Sequence, residues 1–366
     1  MTNYFFFKDF GKITSSSNFT KNKKKNIRLS FDRNKNDGSL RLYKQFNLKE
    51  LKPTRRVFFK EPQFHLNFIS KVLKEFNAAN IFAFSYKDQS LANMCKNGNS
   101  QKKIHFLSTF LKINFFSNID EIINKLFSKN KIKIKKNDNL IILRHVWEHI
   151  RDHKKLLEKI FYFCSNKSVF YIEVPDSYRQ IKSLDYSVLW EDHIYYFDKI
   201  GFVNSLSRAK LKVLRFYKFK QNYEDIYCAV CIFDQSIQYK IKKSPKMLKY
   251  VTIFRNSFNV VKKATIKNFI NFHKNGKIIA FGASHMLNTY VNLFRLEKYF
   301  SYVVDDSLIK QNMFMFSNGV KIVPFSKISP NFPKTCIVSI NPSNKQIRDK
   351  IKYLKSNGVK IKSIFK

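Results

Sequence analysis

From Phe64 to Phe76 the apolar residues Leu66, Ile69, Val72, Leu73 and Phe76 recur at three- and four-residue spacing, which predicts an amphipathic helix. The pattern then shortens to an apolar strand, Asn80 to Phe84, a polar turn from Ser85 to Ser90, and a helix-like stretch from Leu91 to Cys95. Next come a strand at Lys103 to Leu107, a helix around Ile119 to Phe127, and the unbroken apolar run Asn139 to Leu143, which suits a parallel strand covered on both faces. A helix from Lys154 to Phe163 and a strand from Ser168 to Val174 continue the alternation. Strands alternating with helices at this spacing predict a doubly wound α/β sheet, and Leu211 to Phe219 with Ile226 to Phe233 predict an antiparallel pair closing it.

A Lys-rich helical stretch leads to a fresh start at Gly276 to Ser284, where an apolar strand again runs into a small-residue turn and a helix. Further strands are expected at Tyr302 to Asp306, Val320 to Val323, Thr335 to Ile340 and Val359 to Phe365. The expected fold class is α/β, with two Rossmann-like doubly wound domains in tandem. Residues 1–63 are expected to be an irregular N-terminal segment, 64–235 the first domain, 236–268 a helical connector and 269–366 the second domain. A chain of 366 residues exceeds the size at which one core usually stops growing, which agrees with two domains.

Composition excludes global disorder, because 44% of the residues are hydrophobic and 39 are Phe. The net charge of +43 raises the question of a nucleic-acid partner. Lys, Asn, Ile and Phe are enriched together along the whole chain, however, so the charge reads as compositional background and nucleic acid is not the expected partner. No uncharged apolar run is long enough to span a bilayer, and no secretory leader pattern opens the chain, so a cytoplasmic protein with no membrane partner is expected. The five cysteines form no even disulfide framework. Cys228 and Cys231 form a CxxC, but on a strand positions i and i+3 face opposite sides, which argues against shared metal or redox use.

The densest titratable cluster is His145-Val-Trp-Glu-His149, directly after a predicted buried strand. Ligands of open α/β sheets bind beyond the carboxyl ends of the strands, so these side chains are placed for function by topology. His145 and His149 stand four apart, yet the surrounding motif of a zinc helix is missing and no metal is expected. Glu173-Val-Pro-Asp176 ends the next strand and reads as a strand terminator or as a further wall of the same crevice. Trp190-Glu-Asp-His-Ile-Tyr-Tyr-Phe197 sets two carboxylates beside a histidine. A carboxylate and partial burial tune an imidazole toward general-base work, although a purely structural histidine fits the same pattern.

Taken in order, His145 to Ile150, Ile172 to Asp176 and Trp190 to Phe197 resemble the sugar C-methyltransferases, whose pattern runs approximately NVLAH, EVPD or EVPY, and HEHLSYF. Ala280-Phe-Gly-Ala-Ser284, Val304-Asp-Asp306 and Lys310-Gln311 are similar to that family's C-terminal signature of a YGA turn, VVDD and KQG. The resemblance covers residues 64–366. It implies a class I fold using S-adenosylmethionine (SAM), a nucleotide-linked keto-sugar acceptor and a role in surface glycan biosynthesis. It implies His193 as the base that generates an enolate, with Asp192 and His149 as catalytic companions, and cofactor contacts at Ser85, Asp88, Gln89, Leu107, Arg144 and His145. A homodimer is left open.

The sequence departs from the family in several places, among them the substrate-contacting tyrosine region, without a match near Phe58 and Phe59, and the GGS before the last strand, which is Glu224-Asp-Ile226 here. The cofactor turn, Ala83 to Gln89, lacks both family glycines and keeps only Asp88. No carboxylate ends the second strand at Phe106 and Leu107, and no Cys precedes Cys95 where the family has a zinc domain. Two alternatives therefore stand beside the enzyme: a pseudo-methyltransferase binding module, and a methyltransferase with an O, N or nucleic-acid acceptor.

Overall fold

The computed structural model describes residues 4–15, 26–44, 63–84, 88–96, 102–106, 137–161, 164–221, 224–328, 331–340 and 345–365. The expected helix around Ile119 to Phe127, and with it Ser85 and Leu107, lies outside them.

The chain opens with β1 (Tyr4–Thr14), β2 (Asn26–Asn34) and β3 (Leu40–Leu42), where an irregular segment was expected. β1 and β2 pair antiparallel from Tyr4↔Asn34 to Thr14↔Asn26, with register shifts between Phe6 and Lys8 and between Asp9 and Lys12. These bulges bring Phe7, Phe10 and Ile13 to the buried face at three-residue spacing. Each extra residue flips the alternation, so the period-two signature of a strand is absent from the sequence.

The first α/β unit follows: α1 (Gln63–Lys74), β4 (Asn80–Ala83), α2 (Gln89–Lys96), β5 (Lys103–Phe106), β6 (Asn139–Arg144), α3 (His153–Ile160) and β7 (Val169–Pro175). It continues through the short α4 (Tyr178–Lys182), β8 (Tyr195–Tyr196), α5 (Lys199–Arg208), β9 (Leu211–Phe219) and β10 (Ile226–Phe233). The sheet runs β5-β4-β6-β7-β10-β9. Its first four strands are parallel, and β10 is antiparallel to both β7 and β9, as the pattern predicts. Every residue of β6 and β7 is buried, the consequence of helices on both faces. Cys228 packs in the core on one face of this sheet and Cys231 in the core on the other, as alternation requires.

A single 30-residue helix, α6 (Pro245–Lys274), then leads to β11 (Ile278–Phe281), α7 (His285–Phe294), β12 (Phe300–Val304), β13 (Phe314–Met315), β14 (Val320–Val323), β15 (Thr335–Val338), α8 (Lys345–Ser356) and β16 (Lys360–Ser363). The second sheet runs β13-β14-β12-β11-β15-β16, with all but the edge strand β13 parallel. Its first turn needs Gly282, at φ +102°, because a Cβ there would stand 2.1 Å from Ile340 Cγ2.

The expected connector is a packed element, because α6 runs on past residue 268 and buries Met247, Val251, Phe254, Phe258 and Phe269. Phe258 meets Phe10 edge-on at 5.0 Å between ring centres, and Phe254 stacks on Tyr186 at 4.2 Å while its carbonyl accepts from the Tyr186 hydroxyl at 2.6 Å. Thr14, on β1, hydrogen-bonds Asn288 and Asn292 of α7. The N-terminal strands thus lie in one core with α6 and the second sheet.

Candidate active site

The site forms beyond the carboxyl ends of β6 and β7. Arg144 and Glu173 are register partners there, and the His145 amide donates to the Glu173 carbonyl at 3.1 Å. His145 sits at φ 52°, a left-handed conformation that costs a residue with a side chain about 1 kcal/mol or more. The chain leaves the strand through this bend into a 3-10 turn, Trp147–His149. The Trp147 indole donates to Ser205 Oγ at 2.9 Å and stacks flat on His153 at 4.0 Å, which anchors the turn to α5 and α3.

The second wall is the loop from Trp190 to Tyr196. Tyr196 Oη accepts from the Trp190 amide at 2.6 Å and donates to its carbonyl at 3.1 Å, closing the loop on itself. β8 adds the end of this loop to the N-terminal sheet through Leu40↔Tyr196 and Arg41↔Tyr195, and the order β1-β2-β3-β8 results. The Ile194 amide donates to the Glu148 carbonyl at 2.9 Å, so loop and turn are tied together.

This brings His149 and His193 within 4.8 Å of each other, ring centre to ring centre, in an edge-to-face arrangement. His149 Nδ1 lies 2.6 Å from the Asp192 carbonyl oxygen. A carbonyl only accepts, so Nδ1 carries a proton, and when the ring is neutral its lone pair is on Nε2. That nitrogen lies 3.9 Å from Glu148 Oε1, and His145 Nδ1 lies 3.5 Å from the same oxygen. Glu148 is fully buried, and among the described residues neither of its carboxylate oxygens accepts a hydrogen bond of ordinary geometry. Burial raises its carboxyl, and the approach of His145 Nδ1, with the positive charge His149 and His145 carry when protonated, more than offsets this, holding it below the usual carboxylate range.

The expected catalytic residues His149, His193 and Asp192 are therefore brought together. Asp192 contributes through its backbone carbonyl to His149. Among the expected cofactor contacts, Asp88 is fully buried just before α2, Gln89 is exposed on its first turn, and His145 is half-buried at the site. The Arg144 side chain departs from expectation: it is sealed from solvent with Nε 2.8 Å from Glu173 Oε2. Glu173 likewise is no crevice wall. It is buried between Arg144, His65 Nε2 at 3.1 Å and the Tyr171 hydroxyl, and although burial raises its carboxyl, Arg144 and His65 hold it well below the usual range. Asp176 is buried against Lys218 at 2.7 Å.

Two members were missed in the sequence. Glu148 lies inside the histidine cluster but gave no sign of its burial. His285, the first residue of α7, stacks on Trp190 at 4.2 Å and 22° and so carries the second α/β unit to the site. Its only signal was its place directly after the Ala280 to Ser284 turn. That turn is held by Asp305, whose Oδ2 accepts from the Ala283 amide at 2.8 Å and from Lys310 Nζ at 3.0 Å.

Residues 235–364 match the family model described as the C-methyltransferase C-terminal domain. No curated protein matches the chain. Among solved structures, an SAM-dependent methyltransferase from Clostridium acetobutylicum is 11% identical, with 48% of this chain and 92% of that one covered at a TM-score of 0.33. A SAM-dependent methyltransferase from Aquifex aeolicus is 16% identical over 47% of this chain and all of that one, with a TM-score of 0.30. Human N-acetylserotonin methyltransferase in complex with SAM is 15% identical over 47% of this chain and 55% of that one, with a TM-score of 0.29. Likeness at this level carries no functional weight. Among the described residues no helix is long and apolar enough to cross a membrane.

Proposed function

We propose that this chain is an SAM-dependent methyltransferase that adds a methyl group to a carbon of a nucleotide-linked keto-sugar, in surface glycan biosynthesis. The observation that carries the reading is the pair His149 and His193, facing each other beyond β6 with the tautomer of His149 set by the Asp192 carbonyl. The family match over the C-terminal unit supports it independently.

In this reading His193 takes the proton α to the acceptor ketone, and the electron pair of that C–H bond moves to the carbonyl oxygen to give an enolate. With SAM bound, the enolate carbon would take its methyl group as the S–CH3 bond breaks, and S-adenosylhomocysteine would leave. SAM supplies the electrophilic methyl. The strand order reverses at β4, between β5 and β6, and ligands of doubly wound sheets bind in the crevice at such a reversal. Asp88, ahead of α2, and His145 flank that crevice and fit a cofactor there. Trp190 with the stacked His285 forms the acceptor side and orients the sugar relative to His193.

The test is hydrogen exchange in deuterated water with a nucleotide-linked 4-keto-sugar, followed by NMR. Wild-type protein is expected to exchange the α-hydrogen and His193→Ala to lose the exchange. No exchange by wild type overturns the carbon-acid reading. The cofactor turn without glycines favours a second reading, a binding module that has lost turnover, in which acceptor binds with no exchange.

A further inference from the structure

The mechanism proposed above leaves one buried charge unused. Glu148 is fully buried and, among the described residues, its two oxygens accept no hydrogen bond of ordinary geometry, His145 Nδ1 standing at 3.5 Å, an arrangement that is costly for a charged group. Its carboxylate faces His149 Nε2 at 3.9 Å, and His193 offers a further ring nitrogen, so that one donor atom from each of the three lies within 4.8 Å of the others. Metal-bound histidines characteristically donate their second ring nitrogen to a carbonyl or carboxylate, which fixes the ring and leaves the other nitrogen for the ion. His149 does so through Nδ1 to the Asp192 carbonyl at 2.6 Å.

We infer that Glu148, His149 and His193 form a binding site for a divalent transition-metal ion of the nitrogen- and oxygen-liganded class, such as Zn2+, Fe2+ or Co2+. Two imidazoles and one carboxylate are a donor set such ions favour, with positions left open toward the cleft. Tetrahedral coordination with metal–ligand distances of about 2.1 Å needs donor separations of roughly 3.4 Å. Side-chain rotation of the half-buried His149 and His193 supplies that contraction, while Glu148 stays fixed by its burial. The ion neutralises the buried carboxylate, which gives Glu148 a reason to be there. It also takes the lone pair His193 would use as a base, so metal-loaded and proton-abstracting states of the site exclude each other. The sequence argued against metal because the pair it offered, His145 and His149, lacks the surrounding motif of a zinc helix, whereas folding supplies His193 as the partner of His149.

A second cluster, His65, Glu173 and Cys228, also gathers donor atoms, but there His65 Nε2 faces the Glu173 carboxylate at 3.1 Å and Arg144 already balances the charge. The two are separable by experiment. Metal-free full-length protein titrated with Co2+ is expected to bind one ion with visible d–d absorption and no sulfur-to-cobalt charge-transfer band. Glu148→Gln and, independently, His193→Gln are expected to weaken binding by more than about tenfold with unchanged circular dichroism. Wild type that binds no Co2+, binding that survives both substitutions, or a thiolate band that places the ion at Cys228 would each overturn the assignment. Binding is read without SAM or acceptor, so the result is independent of the methyl-transfer reading.

Discussion

Two histidine and carboxylate clusters lie near the same strand ends of the first sheet, and they differ in how completely their charges are answered. Around Glu173, one oxygen meets Arg144 and the other meets His65 and Tyr171, all closed to solvent. Around Glu148, the carboxylate is as deeply buried yet among the described residues accepts no hydrogen bond of ordinary geometry, and the histidines beside it are half-buried. Equal burial with unequal satisfaction separates a network that holds β6 to β7 from a group of side chains held ready for a ligand. The sequence motifs His145 to His149 and Glu173 to Asp176 look alike in this respect, and only packing tells them apart.

The sharpest way to break this comparison is through His193. His193→Ala is expected to lower methyl transfer by about 10²–10⁴-fold, the usual range for removing a general base, with the thermal midpoint nearly unchanged. His65→Ala should do the reverse, lowering stability and sparing the α-hydrogen exchange rate. Next in size is the contrast between the carboxylates. Glu173→Gln leaves Arg144 buried without its counter-charge and is expected to cost about 3–5 kcal/mol in urea unfolding. Glu148→Gln removes a charge that, among the described residues, accepts no hydrogen bond of ordinary geometry, and should change stability by about 1 kcal/mol or less. Equal losses in the two variants would erase the distinction between the clusters.

A pH effect tests the scaffold beneath the site. His153 donates from Nε2 to the Trp147 carbonyl at 2.8 Å, and burial lowers its pKa from 6.5 to about 4. Above pH 6.5 the ring is neutral whether the chain is folded or not. As pH falls from there toward 4, the unfolded chain takes up the proton first, so stability should drop by about 1.4 kcal/mol per pH unit. His153→Phe, which keeps the stack on Trp147, should remove that part of the slope in a denaturation series. The smallest expected effect is at the junction of the two units. His285→Ala loses one aromatic stack, worth about 0.5–1.5 kcal/mol, and should raise KM for the acceptor up to about tenfold with kcat little changed.

Much of this arrangement is legible in the sequence because continuous apolar runs such as Asn139 to Leu143 mark strands buried on both faces, and ligand sites follow from where such strands end. His149 was found that way, and His193 through its neighbouring carboxylates and the resemblance of Trp190 to Phe197. The N-terminal sheet was hidden because the bulges in β1 replace two-residue alternation with the three-residue spacing of Phe7, Phe10 and Ile13. This omission touches the site, since β3 is what holds β8 and the loop bearing His193. The burial of Arg144, the open carboxylate of Glu148 and the reach of His285 all depend on packing between distant segments, which no local spacing encodes.

The central claim is that the crevice beyond β4 and β6 binds SAM, although the turn at Ala83 to Gln89 has no glycine. Calorimetric titration of full-length protein with SAM and with S-adenosylhomocysteine tests it directly. One saturable site per chain for both compounds is the expected result, and absence of binding to either would contradict the claim.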